Sequence, residues 1–293
     1  MRGPVAGVVG MDRAVGAVLG GAAGDALGAP YEFGPPLAPE VEVEMVGGGH
    51  FGWEPGEWTD DTQMALAVLT AIADPAVVSA GDVVSKVEDG FRAWFASKPA
   101  DVGHQTRSVL GAATEAGSMA AAAARYTASK PHNAAGNGSL MRTGPIALAH
   151  PGDREAIAEL ARAVSELTHP DPDCVDACVL WSVAIDHAIH HAPASDERFD
   201  WAEAVARGLD LVLGDRRDRW RDRIAEAAAA EPWVDVVHAR INHKGLMMDD
   251  TPEKVVPVLR KLHKAGKGVI GMKLVGNGKW KDAPAERDAA AKF

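Results

Sequence analysis

The densest chemistry in the chain lies in Gly56-Glu57-Trp58-Thr59-Asp60-Asp61-Thr62-Gln63-Met64, where a turn runs into a hydroxyl and two adjacent carboxylates. A strongly apolar helical stretch, Ala65 to Ala73, follows at once. Two readings fit these residues. Thr59 suits a helix N-cap, and Asp60 and Asp61 then fall in the first turn, where unpaired N–H groups and the positive end of the dipole favour acids. Thr-Asp-Asp also gathers several hard oxygens within one turn, the donor set that Mg²⁺ or Mn²⁺ takes from a protein. The residues alone leave capping and metal binding both open.

Two further acids, Asp25 and Glu32, sit in the otherwise apolar segment Gly24-Asp25-Ala26-Leu27-Gly28-Ala29-Pro30-Tyr31-Glu32-Phe33. An acid among apolar neighbours needs a partner. A cap or turn hydrogen bond is the simpler role for Asp25, and a surface position ahead of Gly34-Pro35-Pro36 the simpler one for Glu32. The second informative stretch is Asn133 to Pro145, containing Gly136-Asn137-Gly138-Ser139-Leu140-Met141-Arg142. Its Asn-Gly and Gly-Ser pairs expose backbone donors in a turn, which suits an anionic or sugar group. The alternative is a plain loop with Arg142 in a surface ion pair. His169, between Thr168 and Pro170 with Asp173 and Asp176 nearby, can serve as ligand, base or cap. The glycine run Gly47-Gly48-Gly49 matches neither a P-loop nor a dinucleotide fingerprint.

The elements that must position these residues read as helices over most of the chain. Apolar periodicity predicts helices over 12–23, from Thr59 to 73, 80–96, 106–124 (with a possible break at Gly117), 146–149, 155–167, 174–190 and 201–213. The mixed charges of 215–223 mark a solvated helical face. The pattern then changes: 233–242 reads as a strand, 252–265 as an amphipathic helix capped by Thr251, and 269–275 as a second strand, which together make a βαβ unit. The domain reading is a helical body over 12–230 and a βαβ segment over 231–293.

Composition bounds the function. The 293 residues are 47% hydrophobic but only 5% aromatic, as expected of helices packed through small side chains. Lysine and arginine total 30 against 41 aspartates and glutamates, a net charge of −11 that argues against a general nucleic-acid or anionic-membrane binder. Cys174 and Cys178, the only cysteines, stand one helical turn apart, a poor geometry for a disulfide, and read as reduced core thiols. No convincing signal peptide or membrane span is visible, so the expectation is a cytoplasmic protein.

Four motifs, in order, resemble the ADP-ribosylglycohydrolase family, which includes the dinitrogenase reductase-activating glycohydrolases. They are Gly24-Asp25-Ala26-Leu27-Gly28 with Glu32, Trp58-Thr59-Asp60-Asp61-Thr62, Gly136 to Arg142, and Thr168-His169, spread over residues 12–230. The resemblance implies an all-α bundle around a binuclear Mg²⁺ or Mn²⁺ site and cleavage of the bond between ADP-ribose and an acceptor, a protein side chain or a small molecule. It implies that Thr59, Asp60 and Asp61 are metal ligands and that Glu32, Asp60 and Asp61 form the catalytic group. It places Gly136, Asn137, Gly138, Ser139, Leu140 and Met141 on the ribose and phosphates, and His169 beside the adenosine or ribose. The family's C-terminal Asp-x-Asp-Thr metal motif is not visible here; the nearest string is Met248-Asp249-Asp250-Thr251. Residues from 232 onward resemble instead a fragment of an aldo-keto reductase-type barrel without that family's catalytic tetrad. Alongside the hydrolase stands the reading of a catalytically impaired ADP-ribose- or metal-binding remnant, or a gene-fusion product, lacking the C-terminal metal motif.

Overall fold

The structure is a computed structural model and describes residues 8–35, 37, 41–130, 133–191, 201–230, 236–240, 252–264, 268–272 and 285. The chain divides into two compact units, Met1–Leu211 and Val212–Phe293.

The first unit is helical: α1 (Val8–Gly28), α2 (Asp60–Ala73), α3 (Ala80–Ala96), α4 (His104–Ala112), α5 (Met119–Ser129), α6 (Arg154–Glu166), α7 (Pro172–His191) and α8 (Trp201–Leu209). Short side chains let these helices approach closely. A Cβ added to Gly90 of α3 would stand 3.0 Å from the Cβ of Ala67 on α2, so the two helices cross where neither has a bulky side chain. Local signals fix several starts. Ser79 and Asp82 form a reciprocal capping box at α3, and Asp153 accepts from the Ala156 N–H at α6. In α6, Ile157, Leu160, Ala161 and Val164 are buried at the spacing of one helical face. Helix α7 is buried on several sides through Cys174, Val175, Cys178, Val179, Ser182 and Val183, and packs against α6, α8 and α1. The core joins Met64, Val68, Val87, Phe91, Val109, Met119, Ile146, Ile157, Val164 and Val179.

Three expectations change in detail. The helix expected over 106–124 is two helices, α4 and α5. Arg92 explains the break: it hydrogen-bonds the carbonyls of Ala113 and Glu115 and pairs with Glu88 at 2.6 Å, and Glu88 also accepts from the Met119 N–H. Those carbonyls are thereby diverted from a helical ladder. Gly117, in the break, takes φ +74°. The helix expected over 146–149 is a short 3-10 turn, Gly144–Leu148, with Pro145 in its first turn. The helix expected over 12–23 runs from Val8 to Gly28, because Gly24 and Gly28 interrupt its pattern without breaking its backbone.

In the second unit, α9 (Arg216–Ala230) carries the charged run, and β1 (Val236–Arg240), α10 (Pro252–Lys264) and β2 (Gly268–Met272) form the expected βαβ unit. The strands pair in parallel, with Val236 opposite Gly268 and Arg240 opposite Met272. Helix α10 packs on α9, with Lys254 on Asp218 at 2.5 Å and Lys261 on Glu226 at 2.6 Å. The string Asp249-Asp250-Thr251 lies outside the described residues. Among the described residues no helix is long and apolar enough to cross a membrane.

Candidate active site

The site is built on the N-terminus of α2. Thr59 is the N-cap, with its hydroxyl accepting from the Asp61 N–H at 3.3 Å. Asp25, near the end of α1, clamps the same terminus from across the fold. Its carboxylate accepts from Thr59 N at 3.0 Å, Thr59 Oγ1 at 2.8 Å, Thr62 N at 3.1 Å and Thr62 Oγ1 at 2.6 Å. The capping role expected of Asp25 is thus filled across tertiary structure. A hydroxyl has one proton and two lone pairs. The Thr59 proton goes to Asp25 and one lone pair to Asp61 N, which leaves one lone pair for a further partner.

Asp60 and Asp61 occupy the first two helical positions, with Asp60 buried and Asp61 half-buried. Burial, followed by the charge of Asp101, pushes the Asp60 carboxyl up to about 6, against the pull of a hydrogen bond from the Gly103 backbone. Burial, followed by Asp60 itself and then Asp25, Glu32 and Asp101, pushes Asp61 up to about 7. Glu32 is raised by burial and by Asp101 and Asp25. Asp101 is raised by burial, although the Val102 N–H, Arg107 and His50 pull it back. Five carboxylates therefore share one field. Burial raises Glu32, Asp60, Asp61 and Asp101, and repulsion from neighbouring carboxylates raises the first three further. Asp101 was not legible as a site residue in the sequence; the only signal is an acid in the loop immediately before α4.

A cleft of about 1040 Å³ opens between α1, α2, α7 and the 140–148 segment. Asp25, Glu32, Thr59 and Asp61 line its polar part, and Leu66, Leu69, Trp181 and Ile185 its apolar part. Leu140 and Met141 line it too, whereas Asp60, Gly136, Asn137, Gly138, Ser139 and His169 do not. Glu32 is followed by Phe33, which adopts φ +63° and makes edge contacts with His50 and Phe51. Among the described residues no three His, Cys, Asp or Glu side chains converge closely enough to hold a metal ion. Any ion at Thr59, Asp60 and Asp61 would draw on hard oxygens, the remaining Thr59 lone pair among them, with water completing its shell.

The turn residues form a second cluster around Arg142. The surface ion pair considered for this arginine is overturned: Arg142 is fully buried and hydrogen-bonds the Gly138 carbonyl at 3.0 Å and Thr168 Oγ1 at 2.6 Å, with its guanidinium 4.4 Å from the Phe91 ring centroid. Backbone acceptors and an aromatic face replace a carboxylate partner. Burial lowers it to about 10, so it stays charged at neutral pH. His169 is buried with Nδ1 2.7 Å from Thr168 Oγ1, and burial and the Arg142 charge push it down to about 3. Gly138 is where a side chain cannot fit: its Cβ would lie 2.8 Å from His169 Cε1 and 3.0 Å from Nε2. Ser139 is buried with its hydroxyl 3.0 Å from Ser165 Oγ, while Asn137 and Gly136 are exposed. Both cysteines are free and buried; Cys174 donates to the Gly136 carbonyl at 3.2 Å, and burial pushes its thiol up to about 12.

The two clusters meet through the start of α4. The Gly103 backbone serves Asp60, and Gln105 Nε2 donates to the Thr168 carbonyl at 2.9 Å.

Comparison with known proteins bears on this arrangement. The ADP-ribosylglycohydrolase family profile matches residues 9–268. The match takes in β1 and α10, and the reading of that segment as an aldo-keto reductase fragment gains no support. The chain is 36% identical over 185 residues to an ADP-ribosyl-(dinitrogen reductase) glycohydrolase of Rhodospirillum rubrum, covering 61% of this chain and 58% of that protein. It is 30% identical over 225 residues to the ADP-ribosylarginine hydrolase Tri1 of Pseudomonas putida strain GB-1, covering 73% of this chain and 57% of that one. A solved ADP-ribosylglycohydrolase-related protein complex aligns at 29% identity and TM-score 0.48, over 67% of this chain and 60% of its own. The chain thus spans a little over half the length of the curated relatives it matches.

Proposed function

Because the chain belongs to the ADP-ribosylglycohydrolase family, we propose that it hydrolyses the glycosidic bond between ADP-ribose and an acceptor, with water attacking the anomeric carbon. The observation that carries this reading is the field of acids at the α2 N-terminus, where Asp60 and Asp61 rise to about 6 and about 7 beside a cleft large enough for a nucleotide. Acids so arranged call for a cation, and Thr59, Asp60 and Asp61 are the residues that would hold Mg²⁺ or Mn²⁺. When bound, such an ion supplies Lewis-acid polarisation and a template for ribose hydroxyls and water.

Glu32 stands at the same cleft with its carboxyl raised by burial and by Asp101 and Asp25, which suits it to pass a proton to or from the reacting groups. Cleavage of the anomeric bond passes through an oxocarbenium-like state. The water oxygen bonds to the anomeric carbon, its proton passes to Glu32, and the departing acceptor leaves with the bonding electron pair and takes up a proton. The turn from Gly136 to Met141 would hold ribose and phosphates, and His169 the adenosine or ribose end. The names of the relatives make an arginine-linked ADP-ribosyl protein the first substrate to try. A second reading, a binding protein without turnover, draws on the lack of three converging metal-ligating side chains among the described residues.

Release of free ADP-ribose from arginine- and serine-linked ADP-ribosylated proteins separates the two. It is measured with Mg²⁺ and with chelator, beside the Asp60→Asn/Asp61→Asn variant. Release that requires the cation and disappears in the variant supports the hydrolase. No release from folded protein on either linkage rejects it in favour of binding alone.

A further inference from the structure

The two ring nitrogens of His169 face different surroundings. Nδ1 lies 2.7 Å from Thr168 Oγ1, which already accepts from Arg142 Nη2 at 2.6 Å. A guanidinium only donates. Thr168 is fully buried, and among the described residues its hydroxyl has no partner besides these two. The Thr168 proton therefore has one acceptor, His169 Nδ1. Were Nδ1 itself protonated, that hydroxyl hydrogen would be sealed in with nothing to meet it, a costly arrangement in a buried site. The ring is thus the tautomer with its hydrogen on Nε2.

Nε2 has no hydrogen-bond partner among the described residues, yet it is not one of the sealed, unpartnered atoms, as the Arg142 Nε is. His169 as a whole remains 2% exposed. It borders the glycine turn: a Cβ on Gly138 would lie 3.0 Å from Nε2, and one on Gly136 3.9 Å away. Two more bonds hold the backbone here, Gln105 Nε2 to the Thr168 carbonyl and Ser165 Oγ to the His169 carbonyl at 3.1 Å. Among the described residues Arg142 is the one charge that acts on the ring, and the nearby Cys174 thiol is neutral.

We propose that Arg142, acting through Thr168, is a positioning residue that fixes His169 as a neutral Nε2–H donor at the edge of the Gly136–Ser139 turn, there to meet an acceptor oxygen of the ligand, on phosphate or sugar. His169 then serves as a fixed donor and takes no part as acid or base. A second proton would have to enter at Nδ1, against a hydroxyl already pointed at it and beside a buried guanidinium. Recognition through this donor is unchanged across neutral pH. The glycine at 138 belongs to the same device, since any side chain there would push the ring off its line. The ligand's class rests on the hydrolase reading; the Arg142–Thr168–His169 relay stands on its own geometry.

Long-range ¹⁵N spectra of histidine-labelled protein test it, with His169 assigned by a His169→Gln variant. The expected signal is the neutral Nε2–H form, unchanged from about pH 5 to about pH 8. Thr168→Val removes the relay: the ring is expected to mix tautomers or titrate closer to about 6.5. Affinity for free ADP-ribose should then fall about 3- to 10-fold, the weight of one oriented hydrogen bond. Thr168→Ser restores both. An Nδ1–H signal in the unaltered protein, or a Thr168→Val spectrum identical to it, overturns the relay. ADP-ribose that binds without shifting Nε2 overturns the donor role. Failure to bind ADP-ribose at all counts against the hydrolase reading and the ligand half of the proposal, while the tautomer result judges the relay independently.

Discussion

Asp25→Asn tests whether the α2 N-terminus is held from α1. In the native protein one carboxylate serves four donors, two backbone N–H groups and two threonine hydroxyls. An asparagine in the same place keeps one oxygen with two lone pairs and turns an NH₂ towards the remaining donors. If the oxygen stays on the Thr59 side, Thr62 N and Thr62 Oγ1 lose their acceptor and face a donor. Each lost bond had a charged acceptor, worth about 1.5–3 kcal/mol, and the hydroxyl recovers part by turning elsewhere. The expected loss is about 2–4 kcal/mol. For a unit of this size that is a fall in Tm of about 5–15 °C. The assay is thermal and urea unfolding followed by far-UV circular dichroism, with and without chelator. Because these bonds are made within the protein, the loss should persist in chelator. A change below about 0.5 kcal/mol would refute the clamp. A loss seen only with Mg²⁺ present would make Asp25 a cation-dependent group instead, and would remove the reason given for the shape of this helix end.

Two further outcomes follow from the same geometry. The folded-state values of Asp60 and Asp61 are raised from 3.8 to about 6 and about 7, so between those limits the folded chain binds more protons than the unfolded one. Their stabilising effect is complete below about pH 4 and is lost as pH rises through about 6–7, a loss of about 2–3 kcal/mol for the pair after allowance for solvent screening. In chelator the urea midpoint should therefore fall from pH 5 to pH 8 more steeply in the native protein than in Asp60→Asn/Asp61→Asn, and added Mg²⁺ should offset that fall; equal slopes would show that the acids do not repel as described. Gly138→Ala places a Cβ 2.8 Å from His169 Cε1, so the ring must move, and ADP-ribose release should drop by about 10- to 100-fold with the fold intact. Wild-type release rates would show that the ring does not need this position.

Much of the helical body was legible because its signals are local. Ser79 with Asp82, Thr59 ahead of two acids, and the apolar spacing of α6 each operate within a turn or two of chain. The break between α4 and α5 was only half legible, since Gly117 marks it but the cause, Arg92 reaching out from α3, is tertiary. The site divides the same way. Thr59, Asp60 and Asp61 stand out because they are adjacent in sequence. Asp101 does not, because it joins them only through folding, and nothing local separates it from any acid before a helix. Arg142 was misjudged for a related reason. An arginine in a glycine-rich turn has the local signature of a surface residue, and what buries it lies on other elements: the Phe91 ring, Met64, and the Thr168 hydroxyl.

Burial of Arg142 also explains how two clusters with opposite electrical needs share one fold. Among the described residues Asp60 and Asp61 form no ion pair, and the Arg142 guanidinium interacts with the Asp60 charge from inside the core. That charge raises no acid and forms no ion pair with one; it is spent on backbone carbonyls and on Thr168. Had it paired directly with Asp60, the acids would be neutralised within the protein and would have less demand for a divalent ion. Had it been exposed, Thr168 would lose the donor that orients its proton, and His169 would be free to titrate. Placing the charge inside the turn cluster, bonded to the Gly138 carbonyl and Thr168, leaves it unpaired with the acids while fixing a neutral donor on the glycine turn. The start of α4 makes this arrangement rigid, since Gly103 serves Asp60 and Gln105 serves the Thr168 carbonyl within the same helical turn. Displacement of that turn would therefore disturb the acids and the histidine together, although the two lie far apart in sequence.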